Sequence, residues 1–287
     1  MLYKNADDWR NAPEKRVMLF GMSGLGKTHL SNLLRAEGNW FHYSVDYRIG
    51  TRYMGEHIAD NFKREAMKSP LLRELLLSDS VIIQSNITFN NLAPLSSYLG
   101  KPGDRAKGGV PWVEYMRRQE LHRQAETNAM LDTAYFIERA RSIYGYGNFI
   151  CDTSGSICEV VDSENSADPV LSSLADNLLM VWIEGSDAHT QELNRRFDAE
   201  PKPMSYQPAF LEACWAEYLA EKSVAEDAVD PDNFVRWTYA RALAHRQPRY
   251  RAIAENWGVT VQADDIAAVR TETDMIELLA HALETKG

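Results

Sequence analysis

Cysteine is scarce. The three in 287 residues, Cys151, Cys158 and Cys214, cannot all pair, and no two stand at a CxxC spacing. That excludes a disulfide scaffold and a zinc ribbon, and a reducing, cytoplasmic setting is expected. Long hydrophobic runs are also missing: no stretch reaches the ~18 apolar residues that read as a membrane span, so no membrane partner is expected. Met1 to Arg16 is polar and carries acids, unlike a secretory or transit sequence. Positive charge is in short supply, 31 Lys+Arg against 41 Asp+Glu for a net charge of −10. With no basic arm or RNA-binding motif, this balance speaks against a nucleic-acid partner. His42, His57, His122, His189 and His245 are dispersed with no HExxH, and Cys151 and Cys158 have no partnering histidine nearby, so no transition-metal site is expected.

What is present is an ordinary globular composition, 45% hydrophobic and 25% charged, enough to build a core without staples. Short apolar runs at Arg16–Phe20, Phe41–Asp46, Asn148–Asp152, Asn177–Ile183 and Val259–Val261 read as strands. The fourth is nearly all apolar, as a central parallel strand should be. Ser80–Ile83 reads as a short strand or a helix end. Helical patterns follow the first strand and cover Leu71–Leu77, Trp112–Tyr144 (one helix or two) and Ala263–Glu284. Pro and Gly make Lys101–Pro111 a loop. Strands alternating with helices predict an α/β fold with a parallel sheet covered on both faces. Residues 50–147 exceed the minimal alternation and are expected as a mainly helical insertion within a single domain spanning 1–287.

One motif is specific. Gly21-Met22-Ser23-Gly24-Leu25-Gly26-Lys27-Thr28 fits GxxxxGK[ST] in full, between a strand and a helix. Glycines let successive backbone N–H groups converge on a phosphate, and the helix beginning near Lys27 adds its positive end. Lys27 is expected to reach terminal phosphates and Thr28 to offer a hydroxyl to Mg²⁺. Asp152, closing an apolar strand, is the candidate second metal ligand, or else an ordinary strand-end turn residue. Ser154 and Gly155 beyond it would let backbone approach a substrate.

Together these residues resemble the P-loop small-molecule kinases of the shikimate kinase and gluconate kinase group. The resemblance rests on the GMSGLGKT loop, on Val45-Asp46-Tyr47-Arg48-Ile49 after the second strand, and on Asp152-Thr153-Ser154-Gly155-Ser156. Further on it includes Trp182-Ile183-Glu184-Gly185-Ser186 with a helix reaching Arg195-Arg196-Phe197, and Arg246-Gln247-Pro248-Arg249-Tyr250. At 152–156 shikimate kinases carry a Gly-rich turn; here an aspartate and one glycine stand instead. The resemblance implies a three-layer P-loop fold with a five-stranded parallel sheet in the order 2-3-1-4-5 and a lid over 195–210. It also implies ATP and Mg²⁺ as cofactors and a small-molecule acceptor, with Asp46 facing the acceptor hydroxyl.

Arg195 or Arg196 would close over the phosphates, or both would sit at a solvated helix end. Arg246 would contact nucleotide or acceptor. Arg48 and Arg52 would bind an anionic acceptor group, or pair with Glu56 on a helix face. Two readings of function follow: phosphoryl transfer from a nucleoside triphosphate to a hydroxyl, or a regulatory ATPase acting on a protein partner through the 50–147 helices. ATP against GTP, the acceptor and the oligomeric state stay open.

Overall fold

The apolar runs at 16–20, 148–152 and their neighbours become a five-stranded sheet in the computed structural model, which describes residues 2–286. The strands are β1 (Arg16–Phe20), β2 (Trp40–Ser44), β3 (Asn148–Asp152), β4 (Leu179–Glu184) and β5 (Gly258–Gln262). All neighbours pair in parallel, in the order β2-β3-β1-β4-β5. Helices cover both faces, giving the three-layer α/β/α architecture of P-loop proteins. Coverage on both faces explains why β1, β3 and β4 are apolar almost throughout: Val17, Leu19, Ile150, Leu179 and Val181 have no solvent exposure.

Several boundaries differ from the sequence expectation. β2 stops at Ser44 because its partner β3 stops opposite it, at Asp152. Val45–Arg48 turns helical instead. The 112–144 stretch is two helices, Trp112–Leu131 and Thr133–Ser142. The terminal segment is also two, Ala263–Ala268 and Glu272–Lys286. There the Asp274 carboxylate accepts the backbone N–H groups of Arg270 and Thr271, both at 2.9 Å, and starts a new helix where one was expected to run on. Ser80–Ile83 takes neither strand nor helix form.

The chain divides into two compact units. The first holds the residues up to Val45, Glu126–Pro201 and those from Arg236 on, and so contains the whole sheet. The second joins Asp46–Ala125 to Lys202–Val235. The stretch expected as one insertion over 50–147 is therefore shared, with the division falling inside the helix Trp112–Leu131.

In the first unit Trp9, wholly buried, donates its indole N–H to the Ile276 carbonyl at 2.8 Å and ties the amino-terminal helix to the last one. The second unit is helical and aromatic-rich. Trp112 stacks on Trp215 at 4.4 Å, and Phe234 meets Trp215 edge-on at 4.9 Å. Gln119 donates to the Met204 carbonyl and accepts from Tyr206 N–H, pinning the 204–206 segment. Among the described residues no helix is long and apolar enough to cross a membrane.

Candidate functional site

β1 delivers the chain to the glycine loop, and the loop's backbone requires its glycines. Gly21, Gly24 and Gly26 take φ of 129°, 90° and 98°, where a side chain is strained. Gly21 also has no room: a Cβ there would lie 2.7 Å from the Ile183 carbonyl oxygen of β4. Gly26 caps the helix Lys27–Ala36, and its carbonyl accepts Leu30 N–H at 2.9 Å. Lys27, buried at 7% exposure, turns its ammonium back onto the carbonyls of Gly21 (2.7 Å) and Met22 (3.0 Å). Met22 and Leu25 are buried and anchor the loop, whereas Ser23, Gly24 and Thr28 are exposed. The loop is thus fixed by its apolar members and presents its polar ones.

Asp152 ends β3 in register with Leu19 of β1 and Ser44 of β2, beside the entry to the loop. It is buried, and its Oδ2 lies 3.3 Å from His42 Nε2. Its Oδ1 has no hydrogen-bond partner among the described residues. A buried carboxylate oxygen without a partner is costly to maintain, and a water, a hydrogen-bond donor or a hard cation would relieve it. The donor set of one carboxylate and the Thr28 hydroxyl suits Mg²⁺, which keeps several waters.

Beyond Asp152 the chain presses on the glycine loop. Thr153 donates both its N–H and its hydroxyl to the Leu19 carbonyl, each at 3.1 Å. Gly155 comes so near Ser23 that a Cβ would sit 2.7 Å from Ser23 Oγ and 3.1 Å from Ser23 N. Its carbonyl accepts the Tyr250 hydroxyl and Arg246 Nη1 (3.2 Å). Ser154 and Ser156, flanking it, both donate to the carboxylate of Glu126, which has no solvent exposure.

Arg246 was expected at a ligand. It is wholly buried, and its Nε bonds Glu159 Oε1 at 2.6 Å. Burial pushes the Glu159 carboxyl up, but Arg246 and His245 outweigh it and hold the group at about 2. Arg249 donates to the carbonyls of Cys158 and Val161. Arg246 and Arg249 thereby brace the 155–161 turn, while Arg251 pairs with Glu184 at 3.3 Å. Cys158 inside that turn is pushed up to about 12 by burial and stays a thiol.

The helix Asp187–Ala199 carries Arg195 and Arg196. Both are exposed, and both bond Glu192, at 2.7 Å and 2.6 Å. Leu193 of this helix lies 3.1 Å from where a Gly24 Cβ would be. Arg196, three residues on, shares that face, and Arg195 does not.

Asp46, Arg48 and Arg52 belong to the second unit. Asp46 and Arg48 lie in the helical turn Val45–Arg48, and Arg52 in the π-helical turn Ile49–Tyr53 that follows. Arg48 sits over the Tyr53 ring at 5.6 Å, and Arg52 is exposed.

No family model and no curated protein matches the chain. Among solved structures, shikimate kinase from Bacteroides thetaiotaomicron aligns with 16% identity and a TM-score of 0.38, over 94% of this chain and 97% of that one. A likeness of that degree assigns no chemistry. The fold stands on the strand order and register above.

Glu126, Glu159 and His42 are the site residues that sequence reasoning missed. Glu126 lies in a helix rich in Glu, Arg and Gln, where nothing in the pattern separates it from solvated neighbours. For Glu159 there was a signal: a carboxylate just after Ser154-Gly155-Ser156, in a chain whose densest basic cluster needed a counter-charge.

Proposed function

We propose that this protein transfers a phosphoryl group from a nucleoside triphosphate, ATP in the first instance, to a hydroxyl of a small-molecule acceptor. One observation carries the reading: a glycine loop between β1 and the helix Lys27–Ala36 stands beside a buried Asp152 whose Oδ1 has no hydrogen-bond partner among the described residues. Gly21 to Gly26 present backbone N–H groups to the phosphates, with Met22 and Leu25 as anchors and Ser23 against Gly155. Lys27 exchanges the Gly21 and Met22 carbonyls for phosphate oxygens. Thr28 and Asp152 hold Mg²⁺, which when bound neutralises phosphate charge.

Transfer of this kind needs positioning and charge neutralisation more than covalent help. Arg196 is placed to supply further positive charge once it leaves Glu192, with Arg195 as its less favourably turned neighbour. Arg246 contributes by holding the Gly155 carbonyl, and Ser154 and Gly155 shape the floor of the site. Asp46, Arg48 and Arg52 keep the acceptor role their sequence position implies: Asp46 orients the hydroxyl, and the arginines meet an anionic group.

A second reading, a nucleotide-driven switch acting on a protein partner, is favoured by one observation. The helix Pro70–Leu77 buries none of its residues, and Leu71, Leu77 and Ile82 are 65%, 73% and 79% exposed.

The test is incubation of the full chain with γ-labelled ATP, Mg²⁺ and a metabolite extract. A labelled organic phosphate is expected, lost in both Lys27→Ala and Asp46→Asn, with Asp46→Asn keeping the thermal shift by Mg·ATP that Lys27→Ala loses. Labelled inorganic phosphate alone would favour the switch. No thermal shift in the unsubstituted protein would overturn both readings.

A further inference from the structure

We infer that Glu126 is a positioning residue for the phosphate loop, holding Ser154–Ser156 against Ser23. The inference rests on the nucleotide-binding reading above and adds to it a residue that no motif marks. The geometry is a clamp closed from two sides. On one side the Glu126 carboxylate accepts the Ser154 hydroxyl and the Ser156 hydroxyl, the latter at 3.0 Å and 2.8 Å to its two oxygens. On the other, Tyr250 and Arg246 hold the Gly155 carbonyl, and Arg246 is itself held by Glu159. Between the two grips stands Gly155, with no room for even a methyl group before Ser23 of the phosphate loop.

A carboxylate suits this place for a specific reason. Both serine hydroxyls lie within hydrogen-bond reach of its oxygens and 3.0 Å from each other, and the two oxygens of a carboxyl group can take bonds from both. Glutamine keeps one acceptor oxygen and puts an N–H₂ donor at the place of the other, so that with Oε1 retained Ser156 loses its 2.8 Å acceptor at Oε2. Glu126, Ser154 and Ser156 are all buried, so water cannot readily replace a lost bond. The cost falls on the segment that touches the glycine loop. Glu126 touches no phosphate itself; it acts through the serines.

Hydrogen exchange on the full chain, with and without Mg·ATP, tests this. In Glu126→Gln, amides of 153–157 are expected to exchange about tenfold faster or more, with β1 keeping its rate. The dissociation constant for Mg·ATP should rise about tenfold. Unchanged exchange at 153–157 would overturn the clamp, and a uniform rise across the sheet would reduce Glu126 to general stability. If Glu126→Gln does not fold, Ser156→Ala should show the same local loosening at smaller amplitude, and its absence is equally fatal. Local loosening with unaltered Mg·ATP affinity would overturn the positioning role. Local loosening with no Mg·ATP binding even in the unsubstituted protein would support the clamp and overturn the nucleotide reading instead.

Discussion

Two carboxylates, one in each unit, are held at about the same low pKa by basic partners in different surroundings. Glu159, in the sheet-bearing unit, has a fully buried side chain and is held at about 2 against the penalty of its own burial, by Arg246 and His245. Glu114, in the helical unit, is held at about 2 chiefly by its hydrogen bonds to Arg117 and Arg118, with its side chain 32% exposed. The first is a desolvated pair with everything at stake in its geometry. The second is a partly exposed cluster on successive helix turns, in which the Arg117 side chain is 50% exposed while Arg118 also donates to the Tyr98 carbonyl. The same shift therefore signifies a brace beneath the candidate site in one place and ordinary helix-surface pairing in the other.

The largest effect that should separate them is on folding stability. Arg246→Ala takes from the buried Glu159 its nearest cation, leaving the His245 imidazole at 3.6 Å, and is expected to cost about 3–5 kcal/mol in chemical denaturation. Arg117→Ala should cost less than about 1 kcal/mol. Equal losses would erase the contrast.

Next is the response to acid. A carboxyl whose folded pKa lies below its unfolded value of 4.5 contributes stability that is present above pH 4.5 and lost as pH falls through about 2. Both carboxylates share that direction and window. Glu114 should lose more of its shift than Glu159 in about 1 M salt, where the screening length falls to ~3 Å and partly exposed charges feel it most. Side-chain NMR titration of the two carboxyls at low and high salt measures this, and a salt-sensitive Glu159 would contradict its burial.

The smallest effect concerns the apolar surface of the helical unit. Leu77→Gln, at a position 73% exposed, should change stability by no more than about 0.5 kcal/mol. Leu19→Ala in β1, with no exposure, should cost about 2–5 kcal/mol. A large loss at Leu77 in the isolated chain would show that its side chain is already covered.

Legibility in the sequence followed distance along the chain. The strand, loop and helix around Gly21–Thr28 were readable because the backbone there depends on glycines within the same eight residues. Strand order followed once that motif suggested a family pattern, and the register bore it out. Arg246 was noticed for its spacing with Pro248 and Tyr250, yet its counter-ion Glu159 was not. Nothing local shows that a turn after β3 and a helix before β5 share a buried charge pair. β2 was read as ending two residues too late because its end depends on where β3 ends.

The amino-acid sequence by itself determined the glycine loop, the apolar strands and the cation at Lys27, since each arises from residues adjacent in the chain. Only the tertiary structure decided that Glu126 would take Ser154 and Ser156 while Tyr250 took the Gly155 carbonyl, and that Asp152 would stand beside the loop with Oδ1 unpartnered among the described residues. Parallel strands are joined by crossovers, so their carboxyl ends gather residues that lie far apart in sequence. Buried polar groups then find partners by space alone.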